Sequence, residues 1–100
     1  MAYIKPKTLN FIPAPGDGAS GYAVYIVPTG DAFDYDDSWT DVGMQNRDID
    51  LAPMVDEDGI YDVYVTAYDD SGNMSDETNM GVAIPFDTTA PLAPLSGSVS

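Results

Sequence analysis

The side chains of this 100-residue chain that could do chemistry are almost all carboxylates: 17 Asp and Glu stand against 3 Lys and Arg. They come in runs. Asp34, Asp36 and Asp37 precede Trp39; Asp56, Glu57 and Asp58 form a second run, and Asp69 and Asp70 a third. A hard divalent cation needs several oxygens from one pocket, so Asp34, Asp36 and Asp37 are the candidate ligands for calcium, the one cofactor the sequence suggests. None of the runs has EF-hand spacing: Asp69-Asp70-Ser71-Gly72-Asn73 lacks the alternation and the distal Glu. The plainer reading of the same acids is solvated turns, with Asp capping its own loop.

Catalysis is not expected. The chain has no His and no Cys, so the usual activated nucleophiles lack their partners. Disulfides and thiolate metal sites are excluded for the same reason. With so many acids, carboxylate pairs arise by chance, and their spacing says nothing about glycoside hydrolysis. The net charge of −14 repels phosphate backbones and anionic lipid, so neither nucleic acid nor membrane is an expected partner. Protein subunits are.

Aromatic residues offer the other candidate contacts. Tyr25, Tyr64 and Tyr68 are expected on one outward face of a sheet, as cross-strand pairs shielding the ladder or as anchors for a partner. Trp39 reads as a plug at an edge strand first and a binding residue second. Near the C-terminus, Leu92, Leu95 and Val99 of the extended tail complete the candidate partner-binding set.

The elements that must position these groups are strands. Gly21 to Val27 is a continuous β-rich run, and Ile60 to Tyr68 alternates, with Tyr61, Val63, Val65 and Ala67 on one face. Thr8 to Ile12 places Leu9 and Phe11 together, Asp48 to Leu51 places Ile49 and Leu51 together, and Asn79 to Pro85 places Val82 and Ile84 together. Trp39 to Val42 reads as a short edge strand. Gly, Asp, Asn and Pro separate these runs, and no helical period is sustained. One all-β antiparallel sandwich over residues 1–87 follows, with an extended tail over 88–100.

The order of these segments resembles a fibronectin type III or immunoglobulin-like domain. Gly21-Tyr22-Ala23-Val24-Tyr25 looks like the third strand of that family, and Tyr61 to Asp69 like its sixth. Leu51-Ala52-Pro53 resembles the approach to a tyrosine corner, which implies that Tyr61 bonds back to the backbone near Leu51. Phe11 stands where the family usually has Trp. Only seven residues precede Thr8, so the resemblance implies a sandwich lacking its own first strand. Ala93 to Ser100 looks like the start of another such domain.

Two arrangements are compatible with that displacement. In one, the tail of each copy fills the neighbour's gap, giving a ring or filament. In the other, Ala2-Tyr3-Ile4 pairs in cis and the tail docks elsewhere. A module that opens at Met1 with no export signal is expected to work in an assembly, most specifically a phage virion, as capsid decoration or part of a tail or fibre. The alternatives are a cell-surface filament subunit and an adhesion or carbohydrate-binding module of a larger secreted protein.

Overall fold

The computed structural model describes residues 3–16, 18–87 and 89–99. It is all-β, in two separate antiparallel sheets. A short sheet pairs β1 (Thr8–Leu9) with β4 (Ile49–Asp50), and a larger one runs in the order β3-β2-β5-β6. The larger sheet comprises β2 (Gly21–Pro28), β3 (Trp39–Gly43), β5 (Gly59–Tyr68) and β6 (Thr78–Phe86). Among the described residues there is one 3-10 turn, Ala52–Met54, and Pro53 in its first positions pre-sets the backbone for it.

Alternation builds the core. In β5 it turns Val63 and Val65 inward, where they meet Tyr22 and Val24 of β2, Phe86 of β6, and Leu9, Ile49 and Leu51 from the small-sheet side. Phe11 packs edge-on against Tyr22 with ring centroids 5.0 Å apart, a smaller ring in the place that the resemblance gives to Trp. The β1–β4 pairing continues beyond the strands, since Leu51 N–H donates to the Lys7 carbonyl and Phe11 N–H to that of Asn46.

Two expectations are corrected. The Tyr61 hydroxyl donates to the Glu57 carbonyl at 2.8 Å, not to the backbone near Leu51. The 3-10 turn carries the chain away after Leu51, leaving the loop just before β5 within reach. Val82 does not share a face with Ile84: Ile84 packs on the core, whereas Val82 is 64% exposed. The cause is a β-bulge. Tyr61 faces Ile84 and Val63 faces Gly81, so three steps along β6 match two along β5.

Ala83 sits at that bulge in the left-handed region, with φ 54°. A Cβ is disfavoured there by roughly 1 kcal/mol. Ala83→Gly should therefore raise stability by about 0.5–1 kcal/mol, moving the thermal midpoint up by a few degrees. A midpoint that falls instead would mean that the Ala83 methyl group makes contacts worth more than this strain.

β1 is paired on one side only. Among the described residues no strand lies along its other edge. Tyr3 and Ile4 are exposed and in no strand, so they do not fill the first-strand position; Ala2 lies outside the described residues. Residues 89–99 form no strand either. The radius of gyration is 17.3 Å, against about 13 Å for a compact chain of this size, because the tail stands off the domain.

Candidate functional site

The acidic runs are not assembled into a cage. Asp34, Asp36 and Asp37 are all exposed. The Asp34 carboxylate accepts the Asp36 N–H at 2.9 Å, and the Asp34 carbonyl accepts the Asp37 N–H at 3.1 Å. They make an Asx-capped turn whose side chains do not converge. Among the described residues no group of three or more Asp or Glu side chains is placed to hold a metal ion. Asp69 is used in the same way. It accepts N–H groups from Ser71 and Asn73 and the Asn73 side-chain amide, and the Asn73 bonds hold its carboxyl below the ordinary range.

The tyrosine face is also corrected. Tyr25, Tyr64 and Tyr68 do share the outer face of the large sheet, but Tyr25 is 0% exposed and no surface anchor. The loop between β2 and β3 folds back over it. Phe33 packs edge-on at 4.8 Å, and the Tyr25 hydroxyl donates to the Tyr35 carbonyl at 3.0 Å beside the Met74 sulfur at 3.3 Å. Ala23, Tyr25 and Val27 thus form a second small core, with Phe33, Tyr64, Tyr68 and Met74 around it. Tyr64 and Tyr68 are half-buried rims of that core.

Trp39, 40% exposed, lies against Tyr25 and Tyr68 on this outer side, so it does not plug the space between the sheets. The exposed aromatics of the face are Trp39 and Tyr35. Sequence reasoning passed over Phe33 and Tyr35, although the alternation Phe33-Asp34-Tyr35-Asp36 was a usable signal.

Tyr68 fixes the edge of this face. Its hydroxyl donates to the Asp41 carboxylate at 2.7 Å, and its ring covers Gly21, where any Cβ would collide with it. The Tyr68 hydrogen bond, with a second from Gly43 N–H, lowers the Asp41 pKa, and the same bond raises that of Tyr68. A depressed folded-state pKa gives stability that is present above the unfolded value of 3.8 and is lost as pH falls through the folded one. Carbon-detected NMR titration should place the Asp41 midpoint below 3.8 and show it moving up in Tyr68→Phe. An unmoved midpoint would remove Tyr68 as the cause.

The remaining surface feature is a groove. Just beyond the end of β1, Phe11, Ile12, Ala14, Tyr22, Val65 and Met80 line an open, mostly apolar trough of about 410 Å³, which Ser75, Asp76 and Thr78 also border. At the opposite pole Tyr3, Ile4, Lys5 and Lys7 lie close to Pro85 and Asp87. Leu92, Leu95 and Val99, the tail members of the candidate set, are fully exposed and touch neither end of the domain's core. Comparison with family models, with curated proteins and with solved structures finds no match to this chain.

Proposed function

We propose that this chain is a non-catalytic structural module that docks on other protein subunits of a larger assembly, in its most specific form a virion component decorating a phage capsid or built into a tail or fibre. The observation that carries the docking is the unpaired side of β1, in a layer two strands wide, together with the open, mostly apolar trough just beyond the end of that strand. A sheet edge left with free backbone groups is a template for another chain. The strand order supports a fibronectin type III-like sandwich. β1 with β4, and β3-β2-β5-β6 opposite, matches that arrangement with its first strand removed. The absence of His and Cys from the sequence supports a scaffold role over a chemical one. The acidic surface keeps such a module soluble and off nucleic acid.

The test is where the native protein is found. Purified phage particles from the producing host should contain it at fixed copy number by quantitative mass spectrometry. Recovery of the protein only as a free monomer, with none in particles or filaments, would overturn the docking reading.

A further inference from the structure

We infer that the strand missing beside β1 is supplied by the C-terminal segment Leu95–Val99 of a second copy, entering from the Ile12–Thr78 pole. This rests on the reading that the domain works docked to other subunits, and it names the subunit. Three observations converge on it.

The first is the pattern of the tail. Leu95, Gly97 and Val99 alternate with Ser96 and Ser98, the pattern of a strand with one buried face. Those apolar side chains have no cover in the isolated chain. The groove offers the complementary face. Strand alternation turns the peptide groups of Thr8 and Asn10 toward the open side, because Lys7, Leu9 and Phe11 bond across to the β4 side. Of the other free edges, β6 is a poorer acceptor, since Pro85 and two register shifts interrupt it, and those of β3 and β4 do not border the groove.

The second is direction. β1 runs from the Lys7 pole, where the Lys7 ammonium lies over the Phe86 ring, toward the pole where Ile12, Thr78 and Met80 border the trough. β6 runs the opposite way and ends at Phe86. A strand antiparallel to β1 must therefore enter at the Thr78 pole, the far end from where the chain's own tail departs. The nine residues of β6 are about 30 Å long, and residues 87–94 span at most roughly 28 Å. A tail returning to its own groove would exhaust its linker before reversing direction. A copy stacked on the Thr78 pole delivers its tail in the correct sense, and repetition of that head-to-tail contact builds a filament or ring.

The third is charge. The whole segment after Asp87 carries no ionisable side chain, in a chain of net charge −14. Acidic domains repel at a distance, and a neutral extension is the part that can cross the gap. Added salt, by screening that repulsion, should strengthen the association.

The lack of native Cys makes cross-linking direct. In full-length L95C/M80C under mild oxidation, a ladder of covalent multimers is expected on a non-reducing gel, and mixed single variants should give an L95C–M80C heterodimer. L95C/M44C, with its second thiol on an exposed residue outside the groove, sets the background. A disulfide-closed monomer, or multimers no more abundant than that background, would overturn donation in trans. L95D/V99D should abolish the salt-strengthened mass increase in sedimentation while leaving the thermal midpoint of the dilute, unassembled chain unchanged, because the tail lies outside the core of its own domain. If assembly persists in that variant, the tail is not the donor. Chains that fail to cross-link yet still occur in particles sink the donation and leave the docking reading standing.

Discussion

Tyr25→Ala should destabilise the domain by about 4 kcal/mol, a large part of the ~5–15 kcal/mol typical of a small domain. Tyr25 is the largest fully buried side chain and the centre of the second core. Its ring supports Phe33 and Trp39, and its hydroxyl holds the backbone of Tyr35. Removing it leaves a cavity on the outer face and releases the loop between β2 and β3. Tyr25→Phe keeps the ring and forfeits only the hydroxyl contact, so it should lose about 1 kcal/mol.

A pH series separates the two roles of Tyr25. Burial, the main cause, raises its pKa above 10.0. A raised folded-state pKa means that the native state holds its proton more tightly than the unfolded chain. Stability is then full below pH 10 and declines as pH rises through the folded value. That alkaline decline should be shallower in Tyr25→Phe. Urea midpoints at pH 7 and pH 11 check both statements. A Tyr25→Ala loss under about 1 kcal/mol would mean that the loop does not depend on this ring.

The same residue shows where sequence legibility ends. Period-two alternation in Tyr61-Asp62-Val63-Tyr64-Val65 was enough to orient β5, because each side chain there obeys the pleat. Placing Tyr25 on the outer face was also legible; its burial was not. Burial there depends on a loop without periodicity, whose Asp34, Asp36 and Asp37 drew attention while the neighbouring Phe33 and Tyr35 do the covering. The face exchange at Val82 was not legible, because a bulge inserts one residue and no composition signal marks Ala83 as left-handed. The acidic turns drew the metal reading because carboxylate clustering is visible in a sequence, whereas convergence on one point is a property of the backbone path.

Asp62 follows from that bulge and carries the second large effect. It lies on the outer face of β5 at 9% exposure, where a carboxylate is unfavourable unless its oxygens are occupied. One oxygen accepts the Thr29 hydroxyl at 2.9 Å and the Ala83 N–H at 2.9 Å. The acceptor thus ties three segments together: the turn after β2, the centre of β5 and the bulged residue of β6. The Ala83 N–H has left the regular ladder, so Asp62 supplies the partner that the strand pairing cannot. Asp62→Ala leaves that N–H and the Thr29 hydroxyl without their acceptor and should lose about 3 kcal/mol. Asp62→Asn keeps an acceptor of the same shape and forfeits only the charge assistance, so its loss should be near 1 kcal/mol. Thr29→Val tests the network from the other side. In a double-mutant cycle with Asp62→Ala, the two losses should fall short of additivity by at least about 0.5 kcal/mol. Native-state hydrogen exchange gives the local readout: the Ala83 amide should lose protection in Asp62→Ala before the Val63 and Val65 amides do. If all three amides exchange together, or if Asp62→Ala is as stable as Asp62→Asn, the bulge is held by the flanking ladder and Asp62 is not its anchor.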